Sequence, residues 1–295
     1  MVRFVLEDTN ESLQPSHRFL KLPLSLLPGL AVLLSGCAAY SPPRVWGESI
    51  HRNIVFASPG GRDLRLDLYL PPKSARPAPV VLWVFGGGWK LGSRGYHLNV
   101  RDLTKHGIAI AAMDYRLSDE AKYPAQLQDC QAALHWLQAN ADQYGLDPKR
   151  IAAAGESSGG HLAALLGTIE GREKIRAVFA LYPVTDLVAI GRQYAHGNPS
   201  DIERLLGGPI EEKLVLARAG SPVNHVSPDS PPFLIIHGAK DTLVLPDQSQ
   251  QLHNRLQAAG VESRLIFLPD KGHWFTLSPA QRDTVAKFFQ SHFAD

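Results

Sequence analysis

The chain has 295 residues, a length that one α/β domain of ordinary size nearly fills. Its 44% hydrophobic and 20% charged residues are a globular composition, and a net charge of +2 without a basic stripe interleaved with aromatics leaves no nucleic-acid footprint. The two cysteines, Cys37 and Cys130, have no zinc-ligand spacing and no H-E-x-x-H is present, so neither a metal nor another cofactor is expected.

Residues 1–16 are polar and include Glu7, Asp8 and Glu11, which is unlike the front of an export signal; a start codon assigned upstream of the natural one accounts for them. From His17 the character changes. Arg18 and Lys21 supply positive charge, residues 22–34 are mainly apolar, and Leu34-Ser35-Gly36-Cys37 follows. The series resembles the lipobox of bacterial lipoproteins, in which the signal is cleaved before a cysteine that then carries the lipid. Pro23, Pro28 and Gly29 interrupt the apolar run and make it a poor transmembrane helix. The expectation is a signal over 1–36, lipidation of Cys37, and a place in the bacterial cell envelope on the periplasmic face or the outer membrane. An uncleaved anchor and an ordinary secretory signal are the alternatives.

A linker over 37–48 leads into a domain over 49–295. Ser49–Ala57 and Leu64–Leu70 read as an edge hairpin with one wet face, because apolar and polar residues alternate in RDLRLDLYL. Val80–Phe85 is a continuous apolar run, hence a buried parallel strand, and it stops at Gly86-Gly87-Gly88-Trp89. A helix over Tyr96–His106, a strand over Ile108–Met113 and a long helix over Pro124–Tyr144 follow, the last with Gly145 past its end. Ala177–Tyr182 reads as a strand and Asp186–Asp229 as irregular chain, the one segment available as a small cap. Strand Phe233–His237, helix Asp247–Ala259, strand Ser263–Leu268 and helix Pro279–Phe293 close the domain. This alternation predicts a mostly parallel central sheet with helices on both faces.

Between them lies Ile151–Gly167, IAAAGESSGGHLAALLG. A short apolar strand, Gly155-Glu156-Ser157-Ser158-Gly159 and an Ala/Leu-rich helix make the G-x-S-x-G nucleophile elbow of an α/β-hydrolase fold. In that fold the acid and the histidine follow the serine along the chain. Asp241 stands where a loop begins after an apolar strand, and His273 stands in the loop after the last strand. The expected triad is therefore Ser157, His273 as general base, and Asp241 orienting the imidazole. Asp270 is the competing acid. Asp247 reads as a helix cap, His161 and His135 as packed or surface histidines, His237 as a loop support, and Cys130 as a small buried apolar residue. Backbone N–H groups at Gly86–Gly88 and at Ser158 are positioned to form an oxyanion hole. Trp89 and Trp274 flank the site as lining for an acyl or aryl pocket, with core packing as the alternative reading.

Phe85-Gly86-Gly87-Gly88-Trp89 with Gly92-Ser93, Asp114-Tyr115-Arg116-Leu117, Tyr123-Pro124-Ala125 with Asp129, and Gly155-Glu156-Ser157-Ser158-Gly159-Gly160 resemble the hormone-sensitive-lipase-like and bacterial feruloyl-esterase-like (BD-FAE) α/β hydrolases. The resemblance runs from about Asp63 to the C-terminus. It implies oxyanion donors at Gly87, Gly88 and Ser158, and structural roles for Asp114, Tyr115 and Arg116. The family's HGGG begins with a histidine that supports the glycine loop, and this chain has Phe85 there. The expected activity is that of a serine carboxylesterase on short-chain, aryl or acetyl-glycan esters. An arylformamidase, a peptidase of the same fold and a non-catalytic binding module are the alternatives.

Overall fold

The computed structural model describes residues 49–170, 175–193 and 200–294. The expected signal, Cys37 and the linker lie outside the described residues. Eight strands form one sheet: β1 (Ser49–Ala57), β2 (Leu64–Leu70), β3 (Ala78–Val84), β4 (Ala109–Met113), β5 (Leu146–Glu156), β6 (Val178–Leu181), β7 (Phe233–Gly238) and β8 (Ser263–Leu268). Their spatial order is β1-β2-β4-β3-β5-β6-β7-β8. β1–β2 and β2–β4 pair antiparallel, and every pair from β4 to β8 is parallel. The helices are α1 (Ala125–Ala139), α2 (Ala141–Tyr144), α3 (Ser158–Thr168), α4 (Leu187–Gln193), α5 (Asp201–Leu206), α6 (Leu214–Ala219), α7 (Asp247–Ala258) and α8 (Pro279–Phe293). Among the described residues no helix is long and apolar enough to cross a membrane.

Successive side chains of a strand point to opposite faces, and the two hydrophobic clusters divide accordingly. Val80, Leu82 and Val84 of β3 join residues of α1, α3 and α7 on one face. Val81 and Trp83 join Val285 and Phe289 of α8 on the other. Every residue of β3 is buried because both faces are covered, which is why the strand reads as an unbroken apolar run.

Several expectations change in three dimensions. β2 has no wet face: it lies between β1 and β4, and even Asp67 is buried, taking Arg94 Nε at 2.9 Å and the Asn53 amide at 2.8 Å. The helix expected over Tyr96–His106 forms only as a 3-10 segment over Arg101–His106. His97 takes a positive φ of 44°, and the chain turns there so that Asn99 can donate to Glu156. The long helix breaks at Asn140, whose side chain turns back to donate to the Trp136 carbonyl at 2.8 Å. Asp186–Asp229 is not irregular, since it holds α4, α5 and α6. One signal was present there: Ser200 and Glu203 form a reciprocal capping box at the start of α5. Asp247 does not cap α7 but opens it after Pro246, where its charge still favours the N-terminal dipole.

β5, α3 and the end of β3 approach at backbone distance. A Cβ on Gly155 would stand 2.3 Å from the Gly159 carbonyl oxygen, and one on Gly159 would stand 2.1 Å from that of Val84 and 2.4 Å from that of Phe85. These are main-chain atoms with no rotamer to yield. Replacing Gly159 by Ala is expected to destabilise the fold by about 3 kcal/mol or more in urea unfolding. The same change at Gly95, where a Cβ meets nothing within 4 Å, should cost less than about 0.5 kcal/mol. Equal losses at the two positions would contradict this account of the crossing.

Candidate active site

Ser157 occupies the turn between β5 and α3 at φ 52°, ψ −121°, a strained conformation for a residue with a side chain. Both of its peptide groups are tied: its amide donates to the Leu181 carbonyl and its carbonyl accepts from the His161 amide, each at 2.9 Å. The hydroxyl lies 3.0 Å from His273 Nε2, and His273 Nδ1 lies 2.7 Å from Asp241 Oδ2. The three sequence-expected residues are thus brought into one hydrogen-bonded chain, Ser157 from the end of β5, Asp241 from the loop after β7, and His273 from the loop after β8. All three are buried, with Ser157 only 7% and Asp241 2% exposed. The carboxylate fixes the imidazole tautomer: Nδ1 donates to Asp241, so Nε2 presents its lone pair to the Ser157 hydroxyl.

Burial by itself would raise the Asp241 pKa, but hydrogen bonds from His237 and His273, the nearby imidazole charge and the Val244 amide hold it well below the usual carboxylate range. Asp270, the rival acid, is exposed and faces Lys240 at 3.5 Å. His135 is exposed on α1. Cys130 is buried, and burial pushes its thiol pKa up.

Trans peptide geometry places the N–H groups that the glycine run and α3 present. The Gly87 carbonyl accepts from the Lys90 and Leu91 amides at 3.2 Å, so the N–H of the same peptide, on Gly88, points away from that turn. The Ser157 carbonyl points down α3 to His161, so the Ser158 N–H points out of the helix N-terminus, where no acceptor exists within the helix. Gly87, Gly88, Ser157 and Ser158 all line one cavity of about 560 Å³. Gly87 has φ 123° and a Cβ there would fall 2.1 Å from the Leu91 carbonyl oxygen, so only glycine fits.

Phe85, in place of the motif histidine, is fully buried and stacks on Tyr115 at 4.3 Å, while the Tyr115 hydroxyl donates to the Phe85 carbonyl at 3.2 Å. A second support comes from Trp89. Its indole N–H donates to His161 Nδ1 at 3.3 Å, and His161 Nε2 donates to the Gly220 carbonyl at 2.6 Å. His161, one turn into α3, therefore ties the glycine loop to the chain after α6. The expected structural roles of the other motif residues have visible partners: Arg94 pairs with Asp114, and Arg116 with Asp129 at 2.7 Å.

Trp89 and Trp274 both line the cavity, but differently. Trp89 is 2% exposed and is also a core residue, whereas Trp274 is 59% exposed at the mouth. Val184, Ile190, Ile202, Leu243 and Val244 make much of the remaining wall apolar. Ile190 and Ile202 come from α4 and α5, and the Lys90–Asp201 ion pair at 2.6 Å links α5 to the glycine loop.

Sequence reasoning missed Glu156. It is buried beside Ser157 and accepts from Asn99 and the Tyr182 hydroxyl, each at 2.9 Å. His97 lies 3.5 Å from it, and that contact raises the His97 pKa. An acidic residue closing an apolar strand was the available signal. Among the described residues no group of three or more His, Cys, Asp or Glu could hold a metal ion.

The BD-FAE family model matches residues 66–256. The chain belongs to the BD-FAE family. It is 33% identical to the esterase LipC of Mycobacterium tuberculosis over 70% of this chain and 55% of that protein, and 29% identical to esterase LipQ of the same organism over 80% and 60%. The chain thus spans little more than half the length of these relatives. Among solved structures, a truncated carbohydrate esterase from gut microbiota superposes with a TM-score of 0.72 at 27% identity, covering 84% of this chain and 97% of that one. A thermophilic esterase from the Planctomycetes species Thermogutta terrifontis superposes with a TM-score of 0.69 at 25% identity, covering 86% and 95%. The α/β-hydrolase fold expected for a BD-FAE member is therefore present.

His161 gives this BD-FAE chain a defined acid sensitivity. Desolvation lowers its pKa from 6.5 to about 4, against a smaller upward effect of the Gly220 carbonyl. As pH falls below 6.5 the unfolded chain takes up this proton first, so stability declines from there until the folded pKa near 4 is reached. The residue alone should remove about 3 kcal/mol over that window. Urea unfolding of His161→Gln should show a correspondingly shallower loss between those pH values; an unchanged slope would assign the acid sensitivity elsewhere.

Proposed function

We propose that the chain is a serine carboxylesterase with Ser157, His273 and Asp241 as its catalytic triad. The observation that carries the reading is the Asp241–His273–Ser157 hydrogen-bond chain, with distances of 2.7 and 3.0 Å, beside a cavity faced by the glycine loop. His273 Nε2 takes the hydroxyl proton as Ser157 Oγ attacks the ester carbonyl. Charge gathers on the carbonyl oxygen, where the amides of Gly87, Gly88 and Ser158 stabilise it. The imidazolium, held by Asp241, returns the proton to the leaving alcohol and an acyl-Ser157 remains. Water, deprotonated by the same histidine, then releases the acid and regenerates the serine. Every step uses protein groups and water.

The substrate reading is a short-chain acyl ester, an aryl ester or an acetylated glycan. A cavity of about 560 Å³ suits an acyl or aryl group of modest size rather than a long chain. The carbohydrate esterase among the structural neighbours supports a glycan alcohol. Trp274, exposed at the mouth, offers an apolar face to the departing half. Full-length protein is expected to hydrolyse p-nitrophenyl acetate, and Ser157→Ala to lose about a millionfold in kcat. Acetyl to butyryl and feruloyl esters should outperform palmitoyl esters. Activity that survives Ser157→Ala would remove Ser157 from the role of nucleophile, and a steady rise toward palmitate would overturn the short-chain assignment.

We also propose that Cys37 is lipidated and holds the enzyme in the cell envelope, supported by Leu34-Ser35-Gly36-Cys37 after a basic and apolar stretch. Mass spectrometry of protein from bacterial membranes should find a chain beginning at a diacylated or triacylated Cys37. An intact, unmodified N-terminus would overturn this.

A further inference from the structure

Asp241 lies between two imidazoles. Its Oδ1 accepts the amides of Leu243 and Val244, each at 2.9 Å, and its Oδ2 accepts His273 Nδ1 at 2.7 Å. The same Oδ2 lies 3.1 Å from Nε2 of His237, near the end of β7. A triad requires only the His273 contact. His237 is fully buried, and its surroundings set its protonation. Nε2 faces two acceptors, Asp241 Oδ2 and the Val244 carbonyl at 2.9 Å, so it carries the hydrogen. Nδ1 lies 2.6 Å from Ser249 Oγ on α7, within hydrogen-bond distance. The Nε2-protonated ring is thereby held from both sides.

We infer that His237 is a positioning residue for the triad, a fixed second donor on the same Asp241 oxygen that orients His273. The inference rests on the esterase reading above. The shared donor limits rotation of the carboxylate and draws electron density from Oδ2. Removing it leaves a buried carboxylate with one donor fewer and its charge concentrated on the His273 contact. His273 then becomes more basic than in the wild type, and the geometry that presents Nε2 to Ser157 is less restrained.

Other groups face this pair from the neighbouring strands, helix and loop. Tyr182, just after β6, places its ring 4.6 Å from His273 and 6.5 Å from His237 and its hydroxyl on Glu156. β8 contributes the Phe267 ring at 6.5 Å and α7 contributes Ser249. In the loop before His273, Asp270 and Lys271 are exposed, and Asp270 faces Lys240 at 3.5 Å.

The test compares full-length wild type with His237→Leu and His237→Gln, whose side-chain amide can place an N–H near the position of Nε2. For p-nitrophenyl acetate, His237→Leu should lose about tenfold in kcat with KM little changed, the size of loss seen when a group behind a functional side chain is removed. The acid limb of its kcat/KM–pH profile should move up by about half a pH unit or more. His237→Gln should return the limb to its wild-type position and recover most of kcat. Acid limbs that coincide in all three proteins would reduce His237 to a packing residue. Nitrogen-15 NMR of histidine-labelled wild type supplies a readout independent of turnover and of the variants' folding: His237 should carry a hydrogen on Nε2, and that proton should resonate at low field. An Nδ1–H tautomer overturns the inference even if the protein hydrolyses no ester, whereas loss of turnover with the expected tautomer counts against the esterase reading alone.

Discussion

The site depends on one backbone crossing. Ser157 is held at φ 52° between a strand and a helix that touch through Gly155 and Gly159, with the Val84 and Phe85 carbonyls pressed against the second glycine. Such a conformation costs on the order of 1–3 kcal/mol and persists only when its surroundings over-determine it. Here they do so through the Leu181 carbonyl on one side and the His161 amide on the other. Because the same crossing brings the end of β3 against the start of α3, it also sets the glycine loop beside Ser157. Ser157 and the glycine loop are therefore placed by a single contact.

The glycine loop shows how a missing motif residue is replaced by different physics. Where the HGGG motif would place a histidine, this chain packs Phe85 on Tyr115 and lets the tyrosine hydroxyl hold the Phe85 carbonyl. Trp89, at the far end of the loop, is anchored to a buried neutral histidine. Stacking and a polar tether at opposite ends constrain a loop whose glycines could not constrain themselves.

Two buried carboxylates flank Ser157. Asp241 has two amides and two imidazoles, and Glu156 has Asn99, Tyr182 and the nearby His97. An unpaired carboxylate in such a setting would protonate instead of staying charged. The donors come from segments far apart in sequence, so satisfying the charges also docks the loop before Arg101 and the loops after β7 and β8 onto the sheet.

The features legible from the residues alone are those that local chemistry encodes. Continuous apolar runs marked β3 and β5, glycine spacing marked the elbow, and the order of Ser157, Asp241 and His273 along the chain matched positions after successive strands. Those features act over a few residues, so they survive without knowledge of the rest of the fold. Tertiary structure decided the remainder. It covered both faces of β2, broke the expected helix at Tyr96 so that Asn99 could reach Glu156, and folded Asp186–Asp229 into helices that wall the cavity. It also made a tether of His161, expected as a packed or surface histidine, and a second donor of His237, expected as a loop support, since a ring's role follows from what faces its two nitrogens. Those partners, Trp89 and Gly220 for one and Asp241 and Ser249 for the other, become neighbours only when the sheet has formed.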